Sequence, residues 1–227
     1  MKIRTENILS QQQSAGWPTY ATIAVWLAAV AISYWPIARY QYATLDSSTA
    51  GFAVHWPSDS KLPRQLGHST LVLFLHPKCP CSRASLSELE RLFASVTGRM
   101  AGQLDFVVDA TVPKDPGDDW LQTGTLDRVK TIANARVCVD RGGIEAAAFG
   151  ATTSGCVMLF DERGLRKYAG GVTECRGHEG DNAGRASLAQ ILCHEVETAD
   201  GLPAFGCRLC LPDDTCPAAT VSQTGAI

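Results

Sequence analysis

The stretch Leu71–Leu92, LVLFLHPKCPCSRASLSELERL, constrains this chain more than any other. Its apolar run LVLFL is short and ends in His76-Pro77-Lys78, as a buried strand does. Leu86, Leu89, Leu92, Phe93 and Val96 then recur at three- and four-residue spacing, which predicts one face of a helix over 82–97. Ser85-x-x-Glu88 offers a capping box, and Gly98 is expected to stop the helix. Strand, tight turn and helix together place Cys79 and Cys81 at a helix N-terminus. Unpaired N–H groups and the positive end of the macrodipole favour a thiolate there. Lys78 adds a cationic neighbour. The thiolate is the reactive form of cysteine, so the placement reads as redox chemistry; the alternatives are buried structural cysteines or half of a metal site.

Further along, Leu104–Val108 reads as a second strand, making 71–108 a right-handed βαβ unit. A helix is expected near 119–133, a short strand at Ala135–Val139 and a short helix ending at Phe149-Gly150. Val157–Phe160 and Leu165–Ala169 flank the turn Asp161-Glu162-Arg163-Gly164 as a hairpin. A last helix follows Asn182, with Ala186, Leu188, Ile191, Leu192 and Val196 expected to face inward.

This arrangement resembles the thioredoxin superfamily at its active site, with FLHPKC matching the strand-end pattern and Cys79 in the place of the attacking thiol. The fold class expected is α/β, a central mixed sheet flanked by helices, carrying an N-terminal transmembrane helix. Two positions depart from the family. Cys81 arrives one residue early and Ser82 holds the usual resolving position, so a Cys-Pro-Cys disulfide would close a small, strained, easily reduced ring. The family's cis-proline position, aligned on Asp161, falls at Gly155, and a trans bond is expected there because cis bonds are costly without proline. AFGATTSGCVMLFDERG resembles the extracytoplasmic branch typified by TlpA and ResA, membrane-tethered thiol-disulfide oxidoreductases, and the likeness covers about 67–196. It implies protein thiols or disulfides as partners, met along an edge formed by Pro80, Ser154, Gly155 and Arg176.

The family layout would also bring GGVTECRGHEGDNAGR, residues 170–185, to the rim of the Cys79 pocket. There His178 would serve as proton donor or base and Cys175 as a resolving thiol or metal ligand. A polar, glycine-rich connection ending in a helix cap at Asp181/Asn182 is the alternative. His76 reads as a strand-end histidine bonded to backbone, or as a cation that lowers the Cys79 pKa. Cys138 is expected in the core, and Cys156 is expected to turn away from the pocket.

Composition sets the surroundings. The chain has 227 residues and a net charge of −3, so nothing points to nucleic acid. Nine cysteines suit an oxidising compartment, and the odd number leaves at least one unpaired within the chain. No charge occurs from Ile8 to Ala38, and Trp17–Ile37 is long enough to span a bilayer, with Trp and Tyr at both ends. Lys2 and Arg4 favour the N-terminus inside; a signal peptide cleaved near AVA at 29–31 is the alternative. The organisation expected is therefore 1–16 cytoplasmic, 17–38 transmembrane anchor, 39–66 tether, 67–198 thioredoxin-like domain and 199–227 a cysteine-containing tail. The protein is placed in the inner (cytoplasmic) membrane as a single-pass protein, its domain facing the periplasm or cell exterior. In the tail, Cys207, Cys210 and Cys216, with Cys193 upstream, are expected to form pinning disulfides; a zinc knuckle or a relay of electrons to Cys79/Cys81 are the other readings.

The function expected is thiol-disulfide exchange with protein partners, with no cofactor beyond a redox-active disulfide. Cys79 attacks, Cys81 resolves, and Lys78 and His178 assist. The alternative is a Sco-like copper(I) chaperone with Cys79, Cys81 and His178 as ligands. A peroxiredoxin fits poorly, since Val72 and His76 occupy the positions where that family has Pro and Thr.

Overall fold

The computed structural model of the chain describes residues 16–43, 51–100, 103–194 and 199–212. It divides into two units, residues 1–41 and 42–227. Within the first, α1 (Trp17–Gln41) is a 25-residue helix, long and apolar enough to cross a membrane. It carries no acidic residue in its first turn and runs through Pro36.

The second unit is built on β1 (Ser69–Leu75), β2 (Leu104–Val112), β3 (Ala135–Arg141), β4 (Cys156–Phe160), β5 (Arg166–Gly171) and β6 (Ala199–Asp200). They form one sheet in the order β3-β2-β1-β4-β5-β6. β1, β2 and β3 are parallel, β4 is antiparallel to both β1 and β5, and β6 runs parallel to β5. The expected βαβ half followed by a ββα half is therefore present.

Strand β1 is central, and Thr70–Leu75 are all fully buried, so its side chains alternate between two cores. Leu71, Leu73 and Leu75 pack with Leu86, Leu89, Leu92 and Val96 of α2 (Cys81–Met100) and Leu188, Ile191 and Leu192 of α5 (Ala183–His194). Val72 and Phe74 face the other way, against Met158, Phe160 and Ala146 and Phe149 of α4 (Ile144–Phe149). Each such side chain contributes about 1.5–3 kcal/mol relative to exposure, which makes β1 the axis of the fold.

Several expectations change. Helix α2 starts at Cys81, not at a Ser85 cap, because Pro80 needs no N–H partner in a first turn and Arg83 N–H already reaches Pro80 O. It also continues through Gly98 to Met100, since one glycine inside a helix costs only about 1 kcal/mol. The helix near 119–133 is a 3₁₀ turn (Asp118–Trp120) followed by α3 (Gly124–Lys130), capped by Thr123. Ala186 on α5 is exposed, and Val196 lies outside the described residues, as does Cys216. Residues 51–66, expected as a tether, close the second core. Trp56 meets Phe149 and Phe160 edge-on, Leu62 is buried, and Ser60 Oγ and Lys61 N–H donate to Glu145.

Candidate active site

The turn between β1 and α2 is fixed by the main chain of His76. Its carbonyl accepts from Cys79 N–H at 2.9 Å and from Ser82 Oγ at 3.3 Å, and its own N–H donates to Ser154 Oγ at 2.9 Å. Ser82 and Ser154 share a further hydrogen bond of 2.8 Å. Ser82, at the family's resolving position, thus braces the first turn of α2 against the loop before β4. Gly155 in that loop has φ +90 and donates its N–H to Phe74 O at 2.8 Å. A Cβ there would lie 2.8 Å from Ser85 Oγ, so glycine fits both the backbone and the space. The described residues contain no cis peptide bond.

Three cysteines meet at this turn. Cys79 and Cys81 are buried, and the tail brings Cys207 to them: its backbone N–H donates to Cys79 Sγ at 3.4 Å. The Cys207 thiol, then the Cys81 thiol, hydrogen-bond to the Cys79 sulfur, and both main-chain N–H groups add to them. Together they outweigh burial and hold Cys79 far below an ordinary thiol pKa. Cys81 and Cys207 move the opposite way, because each spends its proton on the Cys79 sulfur and is partly buried beside that charge. Arg176 opposes the rise at both. The three sulfurs therefore titrate together, with the Cys79 pKa lowered and those of Cys81 and Cys207 raised.

The tail reaches this point by backbone pairing. Beyond β6, Gly201 N–H donates to Ala169 O at 2.9 Å, and Gly171 N–H to Leu202 O at 2.7 Å. The chain then crosses the loop before β4: Ser154 N–H donates to Cys207 O at 2.8 Å, Leu209 N–H donates to Thr152 O at 2.9 Å, and Thr153 bridges Arg208 antiparallel. Arg176 Nη1 donates to Gly206 O at 2.6 Å. Leu209 and Cys210 are buried, and Cys210 is disulfide-bonded. Sequence periodicity shows none of this, because the tail pairs by its main chain. The one signal is Gly206, where a Cβ would lie 1.9 Å from Ser154 O.

The other expected residues fall into two groups. Cys81 and Cys207 lie at Cys79, and Arg176 faces those two thiols; Ser154 instead bonds His76 N–H and Ser82 Oγ, Gly155 N–H bonds Phe74 O, and Pro80 is exposed. Lys78 instead pairs with Asp119 and lies 4.5 Å from the Trp120 ring centroid, so its charge is drawn to the 3₁₀ turn. His76 packs its ring edge-on against Trp120, and burial lowers its pKa, so it does not supply a positive charge to the turn.

His178 Nδ1 lies 2.9 Å from Asn182 Oδ1, and its N–H donates to Cys175 O, so both residues belong to the 174–182 loop. That loop is held by Glu88, whose fully buried carboxylate accepts from Gly180 N–H and Arg185 Nε and pairs with Arg91. Glu88 thus ties α2 to the loop and caps nothing. The copper alternative needed His178 beside Cys79 and Cys81. Among the described residues no group of three or more His, Cys, Asp or Glu is placed to hold a metal. Cys156 is in the second core, its thiol pushed up to about 12 by burial; Cys138 packs at that core's edge and Cys193 at the edge of the first.

No family model and no curated protein matches the chain. Solved structures do. A hypothetical protein of Sinorhizobium meliloti is 17% identical, with a TM-score of 0.56 over 76% of this chain and 100% of that one. An uncharacterized conserved protein of Geobacillus kaustophilus is 15% identical, with a TM-score of 0.47 over 74% and 92%. A secreted Mycobacterium tuberculosis disulfide oxidoreductase homologous to the DsbE of E. coli is 15% identical, with a TM-score of 0.38 over 56% and 81%. The likeness is one of fold. Sheet order, strand directions and the cysteine turn at the head of α2 make this a thioredoxin-like fold.

Proposed function

We propose that the chain is a thiol-disulfide oxidoreductase acting on protein partners through its Cys-Pro-Cys turn, anchored by α1 in the inner membrane with its domain on the extracytoplasmic side. The observation that carries this reading is the meeting of Cys79, Cys81 and Cys207 at the head of α2, where Cys207 N–H donates to Cys79 Sγ at 3.4 Å and the neighbouring donors lower the Cys79 pKa. Cys79 attacks one sulfur of a partner disulfide. A Cys79–partner bond forms, the partner S–S bond breaks, and the departing thiolate takes a proton. Cys81 then attacks Cys79, releasing the partner's second thiol and leaving a Cys79–Cys81 disulfide. Run backwards, the same steps oxidise a partner dithiol. Arg176, beside the two protonated sulfurs, eases loss of their protons when either must attack.

Cys79→Ser in the full chain should abolish reduction of insulin disulfides by dithiothreitol-recycled protein, while Cys138→Ser leaves it unchanged. Unchanged turnover in Cys79→Ser would end this reading. A reporter fused after residue 66 should be active only if it works outside the cytoplasm; activity confined to a cytoplasmic reporter would overturn the topology.

A further inference from the structure

The strap 201–210 does more than cover the site. Its segment 206–209 takes up the N–H of Ser154 and the carbonyl of Thr152, main-chain groups of the loop beside Cys79. Those are the groups an extended partner segment would use to add itself beside the reactive sulfur. The strap presents a cysteine of its own at that point, with its N–H on Cys79 Sγ. Arg176 clamps Gly206 O just before that cysteine, and buried Leu209 anchors the chain just after it. Substituting Gly206 would push the strap off Ser154.

We propose that the strap is a tethered internal substrate, and that Cys207 takes the disulfide over from Cys81 so that the oxidised protein rests as a Cys79–Cys207 disulfide with this edge closed. The inference rests on the reading of Cys79 as the attacking thiol. The step balances without an outside reagent. Cys207 gives up its proton and attacks Cys79 Sγ; the Cys79–Cys207 bond forms; the Cys79–Cys81 bond breaks; the electron pair leaves on Cys81, which takes the proton. One disulfide replaces another, and relief of the small Cys-Pro-Cys ring drives it. A partner gains the edge only when the strap lifts, so opening requires reduction of Cys79–Cys207 or exchange into it.

The full chain in detergent micelles, oxidised by glutathione disulfide, supplies the test through mapping of linked peptides by mass spectrometry. Two glutathiones are released per disulfide formed. Wild type should give Cys79 linked to Cys207, and Cys207→Ser should give Cys79 linked to Cys81. The equilibrium constant with glutathione should shift at least tenfold toward the reduced protein in Cys207→Ser. Cys81→Ser should still close Cys79–Cys207 and trap no mixed glutathione disulfide, whereas the double variant Cys81→Ser/Cys207→Ser should trap it on Cys79. Linkage of Cys79 to Cys81 alone in wild type, or trapping in Cys81→Ser, overturns the strap and leaves the exchange reading standing. Glutathione trapped on Cys81 or Cys207 in a Cys79→Ser chain would instead overturn Cys79 as the attacking thiol, and the strap proposal with it.

Discussion

Two segments near the end of the chain look alike in sequence and behave oppositely. Residues 174–182 are glycine-rich, carry Cys175, and offer His178 for proton transfer. Residues 201–210 are also glycine-rich, carry Cys207 and Cys210, and offer no acid or base. The first is fastened to α2 and α5 through Glu88, and its Arg176 faces the sulfurs. The second pairs its main chain with β5 and the 152–154 loop and delivers Cys207 to Cys79. Side-chain inventory says which groups can do chemistry. Main-chain N–H and C=O groups that must be satisfied decide which of them arrive.

The contrast breaks first at Glu88 if it is wrong. Its carboxylate is fully buried, while Arg91 and Arg185 keep some access to water. Burial alone would raise its pKa, but the bonds from Gly180 N–H and Arg185 and the charge of Arg91 hold it lowered. Removing the acid from a buried pair costs about 3–5 kcal/mol, and the solvent access of the arginines puts Glu88→Ala near the lower figure. At about 2–4 °C per kcal/mol, calorimetry should show a Tm loss near 10 °C. Unchanged Tm would mean that the 174–182 loop is held by something else.

The strap has its own test at Gly206. With Gly206→Val the new side chain meets Ser154 O, so the segment must lift. Cys79, 1% exposed in the closed form, should then react with iodoacetamide at least tenfold faster, roughly the rate expected for about 1.4 kcal/mol of lost closure. An unchanged rate would show that the strap is not what covers the sulfur.

The pH dependence sharpens the same point. Cys79 has a depressed pKa whose largest cause is the Cys207 thiol. A depressed pKa keeps the thiolate as pH falls, so reduced wild type should alkylate at a nearly constant rate from pH 8 to 6, where a free thiol of pKa about 8.5 loses close to tenfold per unit. The sign for stability is the same: the thiolate's contribution is full above the unfolded pKa and is lost as pH falls through the folded one. Cys207→Ala removes the largest cause, so the Cys79 rate should acquire a visible fall across that range. A flat profile in Cys207→Ala would assign the thiolate to Cys81 and the turn alone.

What could be read from sequence follows from which forces act locally. The LVLFL strand, the leucine face of α2 and the Asp161–Gly164 hairpin turn are set by burial and turn chemistry between near neighbours, and all three are present. Cys79 at the head of a helix was legible for the same reason. The start of α2, expected at 82 and found at Cys81, was legible too, but the role of Glu88 was not, because Ser85 and Glu88 look like a capping box while Glu88 satisfies Gly180 N–H across the fold. Lys78 looked like a neighbour of Cys79 until Asp119 and Trp120, forty residues on, gave it a closer partner. Residues 51–66 read as a tether because Trp56 and Leu62 have no periodicity, although they close a core. Cys207 was legible only as a cysteine. Its arrival depends on pairing between strands that carry no side-chain pattern.

The smallest expected effect is the most pointed. His178 was the natural acid or base by residue type, since an imidazole titrates near neutrality. Its ring nitrogen is spent on Asn182, whose oxygen also accepts Glu174 N–H, so the pair fixes the loop ahead of α5. A half-buried neutral hydrogen bond of that kind contributes about 0.5–1.5 kcal/mol, and Asn182 keeps its other partner when the ring is gone. His178→Ala should therefore lower Tm by no more than a few degrees and change insulin reduction less than threefold. A general acid–base group at the reacting sulfur would cost about 10²–10⁴-fold on removal. A hundredfold loss in His178→Ala with Tm preserved would move this loop into the active site and erase the contrast with the strap; a small loss leaves Arg176 as the loop's single contribution to the sulfur cluster.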